Sequence, residues 1–345
     1  MNSEFEFIEK IKIKASNINK TKSSFSTGIG DDCAVLPKNS KTNLVITADL
    51  LIEDIDFRLK WSKPELIGHK ALAVSLSDIA AMGAKPVWAM LSIGIPEKVW
   101  KTDFVEKFYE GWLNLAEKYN VELIGGDVSK TPDLIVIDSI AAGETTKGKE
   151  VLRSGAKPGD LIYITGNLGG AAFGLSLLES ENMPKNYEKP EFQKLLLRQL
   201  APNPQSEIGR VIGEKNLATA MIDLSDGLSS DLAHLCRASG VGAKIFSEKI
   251  PIDENIKKFS NQKHKKAESF DLKNELSEEL NLALNGGEDF ELLFTVNPKK
   301  KFDLEKALKD YKFSAIGEVT ANEEAIELIA NENSQILQPR GFRHF

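Results

Sequence analysis

Short apolar runs alternate with amphipathic stretches along the first half of the chain, and this alternation predicts strands and helices. The largely apolar residues 43–51 predict a strand that carries an acid near its end. Pro64 opens a predicted helix through PELIGHKALAVSLSDIAAMGA, and Gly83 and Pro86 end it. WAMLSIGI predicts a second strand and residues 102–119 a second helix, followed by strands in VELIGGD and DLIVIDSIAAGE. Such alternation indicates mixed α/β layers.

A polar segment rich in glycine and lysine at 145–159 predicts a domain boundary, with one domain over residues 1–148 and a second over 149–345. In the second domain DLIYITG, ATAMIDLSD and ELLFTV predict strands, and GLSSDLAHLCRASG predicts a helix that Gly240 ends. Two hydrophilic segments, 181–192 and 257–274, are predicted to form mobile loops.

Composition narrows the class of protein. The 345 residues are 41% hydrophobic and 28% charged, which is typical of a globular protein of two domains. The formal net charge of −7 disfavours nucleic acid and anionic membranes as partners. No apolar run approaches the length of a membrane span, the N-terminal residues lack a signal-peptide core, and two cysteines cannot form a disulfide framework. We therefore expect a cytoplasmic protein.

Acidic residues recur where apolar elements stop, often beside glycines. They are Asp31 and Asp32, Asp49, Asp78, Asp127, Asp223 and Asp226, and Glu288 and Asp289. Carboxylates that converge in a cleft repel one another unless cations neutralise them, and Mg²⁺ is a hard ion that prefers such oxygen ligands. Each acid taken alone could instead cap a helix or form an Asx turn. The number of similar motifs favours a metal-binding cleft over capping alone.

Other candidate groups are less specific. The runs GIG, IGG, GNLGG and NGG could bring backbone amides to phosphate or could simply form turns. The P-loop and dinucleotide fingerprints are both absent. Arg153 could bind phosphate or be a solvated linker residue. Cys33 is expected to be a small buried apolar residue rather than a nucleophile, and the histidines show no metal-binding spacing.

Several longer motifs occur in a characteristic order: GIGDDCAVL, TADLLIEDIDF, HKALAVSLSDIAAMGAKP, IGGD, RSGAKPGD, YITGNLGG, IDLSDGLSSDL and NGGEDFEL. In this combination the chain closely resembles the thiamine-monophosphate kinase family, from about Ser26 to the C-terminal GFRHF. That family belongs to the superfamily of aminoimidazole ribonucleotide synthetase and selenophosphate synthetase. The resemblance rests on motifs, and composition and periodicity do not show it.

The resemblance implies an α/β fold of two domains, like that of aminoimidazole ribonucleotide synthetase. Domain 1–148 would bind ATP and several Mg²⁺ ions, and its strands would pair with a second subunit in the core of a homodimer. Domain 149–345 would complete the nucleotide and substrate site. The implied reaction is direct in-line transfer of the γ-phosphate of ATP to thiamine monophosphate, the last step in making thiamine diphosphate.

The resemblance also implies roles for individual residues. The implied metal ligands are Asp32, Thr47, Ala48 through its backbone, Asp49, Asp78, Asp127, Asp223 and Asp226. The implied nucleotide contacts are Tyr109, Gly126, Asp127, Arg153 and Ser225. Substrate would meet Asp56, Glu288 and Phe342, the last as an aromatic platform that suits a cationic thiazolium. Asp49, Asp127 and Arg153 would be the catalytic residues.

The chain departs from the family pattern at two positions. Asp56 stands where a histidine is usual, and Ala48 where a hydroxyl residue is usual. An acid at 56 could still approach the thiazolium, and a backbone ligand would survive the change at 48. The alternatives are another ATP-using member of the superfamily, such as an aminoimidazole ribonucleotide synthetase, or a non-catalytic nucleotide-binding regulator. A selenophosphate synthetase is disfavoured because no cysteine precedes Ser26.

Overall fold

The computed structural model describes residues 4–18, 27–180, 189–263, 276–323, 325–330 and 333–342. The chain divides into two compact units. The N-terminal unit comprises Met1–Leu152 together with Pro204–Asn216, and the C-terminal unit comprises Arg153–Asn203 and Leu217–Phe342. Within the described residues, no helix is long and apolar enough to cross a membrane.

The N-terminal unit contains five helices and five strands among the described residues. In chain order they are α1 (Glu4–Ile18), β1 (Ala34–Pro37), β2 (Thr42–Ile52), α2 (Pro64–Ala81), β3 (Lys85–Pro96), α3 (Glu97–Trp100), α4 (Phe104–Tyr119), β4 (Glu122–Thr131), β5 (Val136–Thr146) and α7 (Ser206–Glu214). The strands form one mixed sheet in the order β1-β2-β5-β3-β4. Only the β3–β4 pair is parallel, because α3 and α4 cross over between these strands.

Helix α2 lies at the centre of this unit, and most of its residues are buried. It packs against α4 at very short range. A Cβ atom at Gly68 would lie 1.9 Å from the carbonyl oxygen of Phe108, and one at Gly111 would lie 1.8 Å from that of Glu65. Only glycine permits this approach. The close packing fixes α2, and therefore Asp78 near its C-terminal end, against the sheet.

Among the described residues, strand β4 pairs only with β3 and forms an edge of the sheet, and almost all of its residues are exposed. Ile124 and Val128 are 51% and 49% exposed. Met90 on β3 and Leu50 on β2 are also exposed apolar side chains of this sheet. An exposed apolar edge of this kind is unusual in a monomer, because its unpaired backbone groups can add a further strand.

The C-terminal unit is built on a second mixed sheet. Its elements in chain order are β6 (Leu161–Thr165), α5 (Gly170–Glu179), α6 (Pro190–Leu200), β7 (Ala220–Asp223), α8 (Leu228–Ser239), β8 (Gly242–Phe246), α9 (Glu254–Lys263), α10 (Glu278–Asn285), β9 (Leu292–Val296), α11 (Lys301–Ala307), β10 (Phe313–Thr320), β11 (Ile326–Ala330) and β12 (Asn333–Ile336). The strand order is β12-β11-β8-β10-β6-β9-β7. A separate apolar core joins this sheet to α8 and α10.

Every strand and helix predicted from the sequence pattern is present, and the mixed α/β class is confirmed. The loop prediction is wrong for residues 190–192 and 257–263, which are helical in α6 and α9. Pro190 stands at the first position of α6, where proline favours a helix start. Residues 181–188 and 264–274 of those two segments lie outside the described residues.

Candidate active site

Acidic side chains converge at one end of the N-terminal unit. Asp32 precedes β1, Asp49 lies on β2 and Asp78 lies on α2. Carboxylate oxygens of Asp32 and Asp78 lie within 4.8 Å of one another. Asp32 is buried, and Asp49 and Asp78 are half-buried. The packing of α2 against the sheet therefore brings together predicted metal ligands from distant parts of the sequence.

Hydroxyl groups support these carboxylates. Thr47 Oγ1 donates a hydrogen bond to Asp78 Oδ2. Ser75 Oγ lies 2.7 Å from Asp49 Oδ2 and 2.9 Å from Ser139 Oγ. Ser75 and Ser139 are fully buried. A hydroxyl orients a carboxylate without cancelling its charge, so these contacts hold the ligands in place and leave the negative charge for a cation.

The electrostatic effect of this arrangement is visible in pKa shifts. Burial is the main reason that the pKa of Asp49 rises from 3.8 to about 6; the hydrogen bond from Ser75 opposes the rise, and the charge of Asp138 adds to it. The pKa of Cys33 is raised well above its ordinary value by burial and then by the charges of Asp78, Asp32, Asp49 and Asp31. Cys33 is therefore a protonated, buried thiol, as the sequence predicted.

This donor set fits Mg²⁺. Hard carboxylate oxygens from separate elements lie close to a threonine hydroxyl, and burial of Asp49 disfavours its negative charge in the absence of a cation.

The edge of strand β2 offers backbone carbonyl groups in addition to these side chains. Strand β1 pairs with β2 only as far as Ile46, so beyond that residue no strand of the described chain pairs with this edge. Thr47 and Ala48 lie there, and a carbonyl ligand at Ala48 is compatible with this open edge.

Asp127 is placed differently from these acids. It is exposed on β4 opposite Ser92, and Ser129 Oγ lies 3.1 Å from its carboxylate. Because the neighbours of Ser92 on β3 point into the core, Asp127 belongs to the opposite face of the sheet, whereas Asp49 faces α2. Within one chain the described contacts do not bring Asp127 to the Asp32, Asp49 and Asp78 cluster.

Other predicted residues of this unit have clear local environments. A Cβ atom at Gly126 would lie 1.8 Å from Leu91 O, so the glycine permits close approach of β4 to β3. Tyr109 is half-buried on α4, its ring packs edge-on against Phe108, and burial raises its pKa. Asp56 accepts a hydrogen bond at Oδ2 from Ile52 N at 2.7 Å, which stabilises the turn after β2.

In the C-terminal unit the segment after β7 gathers the predicted residues. Asp223 is buried at the end of β7, and Asp226 follows it. Asp231, on α8, accepts hydrogen bonds from the backbone N–H groups of Asp226 (3.2 Å) and Gly227 (2.9 Å). Burial, and then the charges of Asp226 and Asp223, raise the pKa of Asp231 well above its ordinary value; the positive charge of Arg153 opposes this. Arg153 therefore lies within electrostatic reach of this acidic group.

Both predicted substrate residues of this unit lie beside the same segment. Glu288 N donates to Ser225 O at 2.7 Å, and Phe342 N donates to Asp226 O at 3.1 Å. Phe342 is half exposed, which leaves its ring available as a platform. The structure thus joins predicted metal, nucleotide and substrate residues of this unit through direct backbone hydrogen bonds.

Serines at the start of α8 hold the chain that carries Phe342. Ser229 Oγ accepts a hydrogen bond from Arg340 N at 3.1 Å, and Ser230 Oγ accepts one from Gly341 N at 3.0 Å. Both serines are buried. These two contacts fix the backbone immediately before Phe342.

A buried ion-pair network lies behind Glu288. Arg198, on α6, donates to Glu291 Oε1 at 3.0 Å and to Asp289 Oδ1 at 3.3 Å. Asp289 also accepts the backbone N–H groups of Gly169 (2.6 Å) and Ala171 (3.1 Å) at the start of α5. Burial is the main reason that the pKa of Asp289 rises to about 6, and the Arg198 charge opposes the rise. One amide of the GNLGG run, that of Gly169, therefore binds a protein carboxylate rather than a phosphate in this structure.

The sequence alone did not identify several of these residues. Asp138 carries a weak signal, an acid inside an apolar strand pattern, and Asp231 is the last acid of LSDGLSSDL. Ser229, Ser230 and Arg198 carry no local signal, because their partners lie about 90 to 111 residues away in the chain. These residues hold the segments that carry the predicted site residues, and only the folded structure brings them into contact.

Comparison with known proteins defines the class of this fold. Residues 30–145 match the N-terminal domain of the AIR synthase related proteins, and residues 157–329 match their C-terminal domain. The chain therefore has the two-domain architecture of that class.

Individual relatives within this class identify the family to which the chain belongs. The thiamine-monophosphate kinase of Buchnera aphidicola subsp. Schizaphis graminum is 40% identical over 99% of both chains, and that of Bacillus subtilis is 36% identical over 94% of both. The solved structure of AaThiL complexed with AMPPCP and TMP has a TM-score of 0.81 at 32% identity, and covers 99% of this chain and 97% of that chain. The chain belongs to the thiamine-monophosphate kinase family.

The first prediction concerns Mg²⁺ at Asp49. We expect Mg²⁺ to raise the melting temperature of the wild-type protein and to have much less effect on Asp49→Asn, because a ligand stabilises the state that binds it. Without divalent ions at pH 7, Asp49→Asn should be at least as stable as wild type, because the raised pKa shows that the folded protein disfavours the charged form.

Differential scanning calorimetry with and without Mg²⁺ measures both effects. The matched control is Asp133→Asn, which changes an exposed acid of the same unit and should behave as wild type. A full Mg²⁺-dependent shift in Asp49→Asn would contradict the assignment of Asp49 as a ligand.

The second prediction concerns the buried network. Arg198→Met leaves Asp289 and Glu291 without their cation, and breaking a buried pair in this way costs about 3–5 kcal/mol. The control Arg210→Met removes a solvent-exposed pair with Glu214, which is worth about 0–1 kcal/mol.

The four tryptophans all lie in the N-terminal unit, at positions 61, 88, 100 and 112. In urea, we expect Arg198→Met to lose part of its far-ultraviolet circular dichroism at lower denaturant while tryptophan fluorescence changes less. Equal midpoints for Arg198→Met and Arg210→Met would show that the network does not stabilise the C-terminal unit.

Proposed function

We propose that this protein is a thiamine-monophosphate kinase that transfers the γ-phosphate of ATP to thiamine monophosphate, giving thiamine diphosphate and ADP, in the cytoplasm. The observation that carries the proposal is the match over nearly the whole chain to a structure complexed with AMPPCP, an ATP analogue, and TMP. The relatives of 36% to 40% identity point to the same activity.

The proposed reaction requires alignment more than acid–base chemistry. A terminal oxygen of the acceptor phosphate attacks the γ-phosphorus of ATP, and the bond between that phosphorus and the bridging oxygen breaks to release ADP. The attacking oxygen is already ionised at neutral pH, because the second pKa of a phosphate monoester is about 6. No general base is needed, which agrees with a candidate site of carboxylates and hydroxyls without a histidine dyad.

Residues of the N-terminal unit are proposed to hold the metal ions. Asp32, Asp49 and Asp78, with Thr47 and the carbonyl of Ala48, would bind Mg²⁺, which supplies charge neutralisation for the ATP phosphates. Thr47 and Ser75 orient the carboxylates of Asp78 and Asp49, so the ligands are preorganised. Asp127 is proposed as a further ligand, and Tyr109 and Gly126 as nucleotide contacts.

Residues of the C-terminal unit are proposed to serve both substrates. Asp223 and Asp226 would bind metal, while Arg153 and Ser225 would contact the nucleotide. Glu288 and Phe342 would contact thiamine monophosphate, the carboxylate and the ring each suiting the cationic thiazolium. Direct backbone contacts support this division, since each joins a residue proposed for the nucleotide or its metal, Ser225 or Asp226, to one proposed for substrate, Glu288 or Phe342. Asp56 is retained as a weaker substrate contact.

The test is ATP turnover by the purified protein with thiamine monophosphate and Mg²⁺, with chromatographic separation of thiamine diphosphate. Product is expected only from the monophosphate and only with Mg²⁺; thiamine and aminoimidazole-pathway precursors are run as competing acceptors. Asp49→Ala and Asp127→Ala should each lose most of the turnover, by about 100-fold or more, because each removes charge stabilisation. The exposed Asp133→Ala should not.

Turnover of an aminoimidazole precursor instead of thiamine monophosphate would overturn the proposal in favour of another member of the superfamily. Near-normal turnover of either the Asp49 or the Asp127 variant at saturating Mg²⁺ would show that its assignment as a ligand is wrong.

We also propose that two copies of the chain associate through the sheet of the N-terminal unit. The support is the edge strand β4, whose residues are exposed along almost its whole length and include Ile124 and Val128. Met90 and Leu50 are further exposed apolar side chains of this sheet, on the face opposite to that of Val128. Pairing with a second copy would cover these side chains and the unpaired backbone of β4.

The corresponding prediction is that Val128→Lys converts a dimer to a monomer, because it places a charge on the surface that the partner would bury. Light scattering after size-exclusion chromatography measures the mass. Phe302→Lys is the control, since Phe302 is exposed on α11 of the other unit. A monomeric wild-type protein at the concentrations used for assay would refute the dimer.

A further inference from the structure

The segment that carries Glu288 has an unusual backbone conformation. Glu288 and Phe290 have φ angles of 65° and 48°, in the left-handed region that residues other than glycine seldom adopt. Gly287 lies between Glu288 and the end of α10, and a Cβ atom there would lie 2.6 Å from Ser225 O. Such a conformation persists only where surrounding contacts determine it.

One side of this segment is bound through its backbone to the chain after β7. Leu224 N donates to Glu291 O at 2.8 Å, Phe290 N donates to Leu224 O at 2.9 Å, and Glu288 N donates to Ser225 O at 2.7 Å. These bonds restrain the backbone from one side. They do not fix the direction of the Glu288 side chain, which has further rotatable bonds.

The side chain is held from α6. The amide of Gln199 donates a hydrogen bond to Glu288 Oε2. Gln199 is only 6% exposed and Glu288 is half-buried, so this bond is partly shielded from water. The preceding residue, Arg198, binds Asp289 and Glu291. Consecutive residues of α6 therefore hold Glu288 and the two acidic side chains that follow it along the loop.

Helix α6 is itself rigidly placed. It packs closely on α5, where a Cβ atom at Gly174 would lie 2.2 Å from Leu195 O. Arg198 also donates to Asn167 O at 2.7 Å, just before α5. The amide of Gln199 is thus presented from a fixed element rather than from a mobile loop.

We propose that Gln199 is a positioning residue for substrate binding: its amide fixes the Glu288 carboxylate in the orientation that meets the cationic part of thiamine monophosphate. The inference rests on the proposed function, which gives Glu288 its role with substrate. A residue that only filled the core would affect stability but would not act selectively on one substrate through Glu288.

The first test is Gln199→Met, which keeps the length and apolar bulk of the side chain and removes the amide donor. A hydrogen bond to a charged group corresponds to a factor of about 10 to 100, so we expect the KM for thiamine monophosphate to rise at least about tenfold. The KM for ATP and kcat should change by less than about twofold, since the loss concerns binding of one substrate. The matched control is Gln193→Met, the same change at an exposed position of α6.

The second test asks whether Gln199 acts through Glu288. Glu288→Ala should raise the same KM, and adding Gln199→Met to it should cause little further change, because the acceptor is already gone. An undiminished effect of Gln199→Met in the Glu288→Ala background would overturn the positioning role.

The third test does not depend on activity. Hydrogen–deuterium exchange of peptides covering residues 285–291 should be faster in Gln199→Met and unchanged in Gln193→Met, because the amides of Glu288 and Phe290 lie in the segment that loses its anchor. No thiamine diphosphate from the wild-type protein would overturn the proposed function and with it the substrate role of Glu288. Unchanged exchange and an unchanged KM in an active Gln199→Met protein would overturn the positioning role alone.

Discussion

The burial of carboxylates at the edge of an apolar core is the constraint around which the N-terminal unit is organised. The burial of α2 brings Asp78 to Asp32, and Ser75 of the same helix binds Asp49. The charges of all three carboxylates act on the buried Cys33, and the hydrogen bonds described to Asp49 and Asp78 come from hydroxyls. Folding buries a large apolar core in this unit. At one edge of that core the carboxylate of Asp49 is also buried, which disfavours its negative charge. A cation would complete such a site, and this is why we propose metal-assisted phosphate chemistry there rather than a nucleophile or a base.

The acidic residues of the C-terminal unit have two kinds of environment. Asp289 and Glu291 are neutralised by Arg198 and by backbone N–H groups at the start of α5, so they act as structural supports. Asp223 and Asp226 instead lie with Asp231, whose pKa is raised well above its ordinary value, first by burial. Acids beside glycines thus look alike along the chain, although Arg198 binds Asp289 and Glu291 directly and Asp231 accepts backbone N–H groups.

Close contact between backbone segments fixes the positions of the residues in the candidate site. Gly68 and Gly111 allow α2 to pack on α4, and Gly126 allows β4 to lie against β3. In the other unit Glu288 is held in a left-handed conformation by the chain after β7 and by α6. For a reaction whose nucleophile is already ionised, rate depends on alignment and charge, so rigid placement of ligands and substrate contacts is the main task of the fold.

The sequence by itself determined the strands and helices with strong periodicity, the mixed α/β class, and the acids that end those elements, because these features depend on neighbours along the chain. It also carried the family motifs. Only the tertiary structure decided that Asp127 and Asp49 lie on opposite faces of the sheet, that Asp231 supports the loop after β7, and that Gln199 and Arg198 hold the Glu288 segment. Those contacts join residues far apart in sequence, such as Gln199 and Glu288, and they arise from strand pairing and helix packing that no local pattern encodes.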